Sequence, residues 1–125
     1  MMRLLKTSLD GRLELVPFEN ENRLPSYAIL SHRWIGGEEV TYQELIAGKG
    51  RDKTAGYAKL QNFVRQAAKD GHHWCWMDTC CIDKSDRGEL NEAINSMYRW
   101  YEKSEVCYAF LGDTNVNELE SFGKK

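Results

Sequence analysis

Two polar clusters hold the side chains of this sequence best suited to chemistry. Ser31-His32-Arg33-Trp34 follows the apolar run 27–30, and Asp78-Thr79-Cys80-Cys81-Ile82-Asp83-Lys84 follows the apolar run 74–77. In the first cluster, a histidine can donate, accept or carry charge near neutral pH. An arginine can grip a phosphate through two parallel hydrogen bonds, and a tryptophan offers a flat face to a base. These are the parts of a nucleotide pocket. The plainer reading leaves Arg33 solvated and Trp34 as a cover for the end of a sheet. In the second cluster, Asp78 sits where an apolar run ends, and a carboxylate there costs free energy unless it is paired or solvated. Arg33 is one partner within reach, so a structural pair and a functional role explain Asp78 equally well. Cys80 and Cys81 are nucleophiles only if a base such as His32 activates one of them; otherwise they pack.

The elements that hold these clusters read off the hydrophobic pattern. Residues 27–30, 74–77 and 106–111 are short, continuous apolar runs, as expected of strands buried on both faces. Between the first two, Tyr57, Leu60, Phe63, Val64, Ala67 and Ala68 recur at helical spacing, with Lys59, Asn62, Gln66 and Lys69 on the water side and Gly71 as the stop. Between the second and third, Asp86 and Glu89 have the spacing of a capping box. They precede an apolar stripe of Leu90, Ala93, Ile94, Met97, Tyr98 and Tyr101. A shorter helix fits 41–47. Runs 3–7 and 12–16 flank Leu9-Asp10-Gly11, a hairpin-turn signal. Gly36-Gly37-Glu38-Glu39 is a turn and 48–53 a charged loop.

Strands alternating with helices predict an α/β fold with parallel core strands, in which 27–30 lies between 74–77 and 106–111. Both polar clusters then stand at the carboxyl ends of their strands, where open α/β sheets bind ligands. Ser31, His32, Arg33, Asp78 and Asp83 are therefore expected to converge. Domain organisation is expected to be a hairpin and connector over 1–25, a βαβαβ core over 26–113, and a frayed polar tail over 114–125.

Composition excludes several classes of function. Seventeen basic against nineteen acidic residues give a net charge of −2, so no basic field is available for nucleic acid. No apolar run approaches the ~20 residues of a membrane span, and the start Met1-Met2-Arg3-Leu4-Leu5-Lys6 is charged too early for a signal peptide. These features point to the cytoplasm. The four cysteines contain no CxxC pair. His72, His73, Cys75, Cys80 and Cys81 are close in sequence, but their spacing fits no common zinc pattern, so no metal is expected.

The segments YAILSHRW, GYAKLQNFVRQAAKDG, WCWMDTCCIDKSDRGELNEAINSMYRWY and VCYAFL closely resemble the HET (heterokaryon incompatibility) domain of filamentous fungi, over about residues 3–113. That resemblance implies a part in non-self recognition, innate immunity and programmed cell death, through self-association or another cell-death signalling protein. HET domains are in turn similar to Toll-receptor-type (TIR) domains, which implies a flavodoxin-like three-layer sandwich. Some TIR-type domains cleave NAD, and others are scaffolds. On this comparison NAD is a ligand or substrate candidate, with Ser31, His32, Arg33, Trp34, Asp78, Cys81, Asp83 and Lys84 around it and His32 and Asp78 as catalytic candidates. HET domains normally continue into an Arg-Gly-Trp-Thr-Leu-Gln-Glu-Leu segment, whose glutamate is the counterpart of the catalytic one in NAD-cleaving relatives. The sequence lacks it, so little NAD cleavage by this chain alone is expected. With no strand expected beyond 106–111, that strand should be an open edge and a site of association.

Overall fold

The computed structural model describes residues 1–7, 12–32, 39–49, 53–110 and 119–123, with the side chains of His32, Thr54, Phe110 and 119–123 excepted. The hairpin pattern at the N-terminus gives β1 (Met2–Thr7) and β2 (Leu13–Phe18), antiparallel and in register from Met2 opposite Phe18 to Thr7 opposite Leu13. Pro17 lies in β2, an outer strand, where a missing N–H is tolerated. A single 3-10 turn (Glu21–Arg23) follows, then β3 (Ala28–His32), α1 (Tyr42–Ile46), α2 (Thr54–Lys69), β4 (Trp74–Trp76), α3 (Arg87–Lys103), β5 (Val106–Phe110) and β6 (Leu119–Gly123). The turn expected at Leu9-Asp10-Gly11, and Gly36-Gly37-Glu38, lie outside the described residues.

Together the strands form one mixed sheet in the order β2-β1-β4-β3-β5-β6. Its centre is parallel, with Ala28 beside both Cys75 and Val106. The expected placement of β3 between the other two core strands holds. The helices cover opposite faces. Ile29 pairs with Trp76 and Leu30 with Tyr108, so Trp76 and Tyr108 project from opposite faces. Trp100 of α3 packs edge-on against Trp76 at 5.6 Å, and Phe63 of α2 packs edge-on against Tyr108 at 6.0 Å. Helix, sheet and helix make three layers.

Several expectations need correction. The tail 114–125 is not simply frayed: β6 pairs antiparallel along the whole of β5, from Val106 opposite Gly123 to Phe110 opposite Leu119. The third core strand therefore has β6 along that side, and the open edge expected there for association is absent. Lys59 does not face water but is wholly buried, because the segment at Glu39 packs over that side of α2. Ile94 and Tyr98 leave the apolar stripe of α3 and are 59% and 78% exposed, while Trp100 and Ser96 are buried in their place. The Asp86 side chain does accept from Glu89 N at 3.2 Å. The Glu89 carboxylate does not reach back to Asp86; it takes the Asp83 N–H at 3.0 Å and an ion pair with Arg3 of β1. A complete capping box exists instead at α1, between Thr41 and Glu44.

Candidate functional site

β3 and β4 are adjacent and parallel, so the segments that follow them leave the same end of the sheet. Ser31, in the last turn of the β3 ladder, is exposed there. β3 carries Ser31 to this end, and Asp78 stands in the turn two residues past the end of β4. The two meet at a residue that sequence reasoning had treated as packing alone. Tyr101 of α3 lays its ring edge-on against Trp76 at 6.2 Å and donates its hydroxyl to the Leu30 carbonyl at 3.1 Å. Burial first, and then the negative field of Asp78, push the Tyr101 phenol up; its hydrogen bond with Ser31 acts in the opposite direction. Ser31 and Asp78 thus both act on the Tyr101 phenol. The signal that pointed to Tyr101 was available: a tyrosine on a buried helical stripe needs a partner for its hydroxyl.

Lys84 also feels Asp78. Burial holds its ammonium below the usual lysine range, against the opposing fields of Asp78, Cys80 and Glu39. Glu39 in turn ion-pairs with the buried Lys59 at 2.6 Å, and its carbonyl accepts from Lys53 at 3.2 Å. Glu39 and Lys59 were not singled out from the sequence, because a lysine at a water-side helical position carries no local sign of a distant acid.

The remaining candidates are placed differently. The loop after β4 turns inward, with Cys81 N donating to Met77 O at 3.0 Å and Thr79, Cys80, Cys81 and Ile82 buried in the core. Cys81 thus belongs to the packing and presents no surface to a ligand. A hydrogen bond with Cys81, then burial, raise the Cys80 thiol well above its ordinary value, and burial pushes Cys75 to about 12. Neither is a thiolate nucleophile near neutral pH. Asp83 organises its own turn. It accepts from Ser85 Oγ at 2.5 Å, from Ser85 N at 3.1 Å and from Gln43 of α1 at 2.7 Å. The Ser85 hydroxyl is the main cause that holds the Asp83 carboxyl below the usual range. The His32 side chain, Arg33 and Trp34 lie outside the described residues.

The polar group offers a hydroxyl, a carboxylate, a phenol and an amine around the ends of two parallel strands. Such a set can hold a ligand rich in hydroxyls or bearing an anionic group. Among the described residues no three His, Cys, Asp or Glu side chains gather as metal ligands. A cleft of about 210 Å³, lined by Thr7, Leu13, Gln61, Val64, Arg65 and Ala68, lies by the amino end of β4, away from this group. No helix among the described residues is long and apolar enough to cross a membrane.

A mixed α/β sheet with helices on both faces and polar residues at the carboxyl ends of its parallel strands defines the class. Its family follows from the sequence: residues 27–124 match the family described as heterokaryon incompatibility protein (HET). Over 123 residues the chain is 42% identical to vegetative incompatibility protein HET-E-1 of Podospora anserina, a match covering 98% of this chain and 9% of that protein. No solved structure matches. The chain belongs to the HET family.

Proposed function

We propose that this HET domain acts in heterokaryon incompatibility, as a cytoplasmic module of non-self recognition and cell-death signalling. It works by associating with a second copy of itself or with another signalling protein. The single observation that carries this reading is the 42% identity to a vegetative incompatibility protein across nearly the whole chain. The finer fold assignment is a Toll-receptor-type, flavodoxin-like core. The three parallel strands in the order β4-β3-β5, with helices on both faces, support it. Inducible expression of the chain in a filamentous fungus tests the function. Growth arrest and vacuolation on induction are expected, and abundant folded protein with normal growth would count against the reading.

A second reading, a nucleotide site, is favoured by the grouping of Ser31, Asp78, Tyr101 and Lys84. NAD is the ligand to try, with Ser31 and Asp78 on the ribose hydroxyls and Lys84 near a phosphate. His32, Arg33 and Trp34 remain candidates from the sequence. Titration with NAD, followed by both binding and nicotinamide release, decides it. Binding lost in Asp78→Ala supports the site, and no binding at millimolar NAD removes it.

A further inference from the structure

The outward face of α3 carries residues that the fold itself does not employ. Ala93, Ser96 and Trp100 are its buried side. On the opposite side Arg87, Asn91, Ile94, Asn95, Tyr98 and Glu102 are all exposed, within an arc of about 100° at 3.6 residues per turn. Ile94 and Tyr98 are two of the three large hydrophobic side chains left exposed among the described residues. The charges at the two ends of this stripe run against helix electrostatics. A helix favours anions in its first turn and cations in its last. Here Arg87 occupies the first turn and Glu102 stands next to the C-terminal residue. Arg87 has no hydrogen-bond or ion-pair partner among the described residues. Glu102 accepts only a long bond, 3.4 Å, from Tyr98 within the same stripe. Local features that oppose the element carrying them are expected where a surface has a use.

The stripe is complementary to itself. A two-fold rotation about the point between Ile94 and Asn95 sets Arg87 against Glu102 of a second copy, and Asn91 against Tyr98 of that copy. Ile94 then meets its own equivalent at the centre. We propose that this face of α3 is a homodimer surface, occupied by the same face of a second copy in antiparallel orientation. The proposal rests on the reading of the domain as a self-associating module and names the surface. The two charged positions are 15 residues apart, about 22 Å along the axis. One helix pair of that length buries less than the ~1,200 Å² of a standard interface, so the association is weak, in the micromolar range.

Charge reversal separates this surface from any other. Arg87→Glu and Glu102→Arg each turn both end pairs of the symmetric dimer into repulsions. Each also agrees better with the helix dipole than the native residue, so α3 and the fold are retained, as far-ultraviolet circular dichroism will show. Sedimentation equilibrium of the 125-residue chain should give a reversible monomer–dimer equilibrium with a Kd near ~100 µM. Each reversal alone should raise Kd at least ~10-fold. An equimolar mixture of the two reversed chains should recover association, because every end pair in the mixed dimer is again of opposite sign. A native dimer indifferent to the reversals, or a mixture that does not recover, overturns the α3 face and leaves self-association standing. A native chain that stays monomeric up to ~1 mM overturns both.

Discussion

Replacing Lys59 by methionine asks how much a wholly buried ammonium contributes to this fold. Its Nζ lies 2.6 Å from Glu39 Oε2, and the Glu39 side chain is only 11% exposed. Methionine keeps most of the length and apolar volume of the side chain, so little cavity is created. What is lost is the ion pair, and a carboxylate then remains in a poorly solvated site. Removing one partner of a buried pair costs about 3–5 kcal/mol. The small exposure of Glu39 and its other contacts place the expectation near the lower end, about 3 kcal/mol. With a urea m-value of about 1–3 kcal/mol/M, the unfolding midpoint should fall by roughly 1–3 M. The double variant Lys59→Met/Glu39→Met removes both charges and should recover to within ~1 kcal/mol of the native chain, since an apolar pair often replaces a buried ion pair without loss. Equilibrium urea melts of the four proteins form a complete cycle. A loss below ~1 kcal/mol in Lys59→Met would show that this pair is solvated, and the packing of the Glu39 segment on α2 would be wrong. A double variant as unstable as the sum of the singles would refute the coupling.

Three other outcomes follow from individual contacts. The Tyr108 hydroxyl is the main cause that holds the Asp70 carboxyl below its ordinary value, with the Gln66 side chain next among the lowering contacts, so in Tyr108→Phe the Asp70 resonance should titrate at higher pH than in the native chain. Because the folded pKa is depressed, this contribution is fully present above the unfolded pKa and disappears as pH falls through the folded one. The stability gap between native chain and Tyr108→Phe should therefore narrow in acid and stay constant near neutrality. A disulfide reagent at pH 8 should modify Cys107 first and reach the buried Cys75, Cys80 and Cys81 only on unfolding; rapid native labelling at Cys80 would contradict the inward turn of the loop after β4. Asp86→Ala should cost about 1 kcal/mol in thermal or urea unfolding, the usual worth of an N-cap side chain, and an unchanged melting curve would mean that the cap is idle.

The central architecture was legible in the sequence because three apolar runs separated by helical patterns leave few topologies open. The expectation that Ser31 and Asp78 share one end of the sheet rests on the same parallel order. What escaped is long-range or weakly patterned. β6, Leu-Glu-Ser-Phe-Gly, has no unbroken apolar run and is defined by pairing with β5 rather than by its own sequence. Glu89 has the spacing of a capping residue, yet Arg3, 86 residues earlier in the chain, competes for its carboxylate. Lys59 obeys the helical period but is covered by a segment that the period does not describe. In α3 the apolar residues span more of the helix than the sheet can cover, so the pattern alone did not show that Trp100 goes in and Tyr98 stays out.

The central question is whether this domain does the work of an incompatibility protein. The direct measurement replaces the matching segment of HET-E-1 in Podospora anserina with this chain and scores the incompatibility reaction between confronted strains. Retention of the reaction, with Trp100→Ala in the inserted domain abolishing it, is the predicted result. A chimera that accumulates to native levels with the domain folded, yet fuses without any reaction, would contradict the assignment.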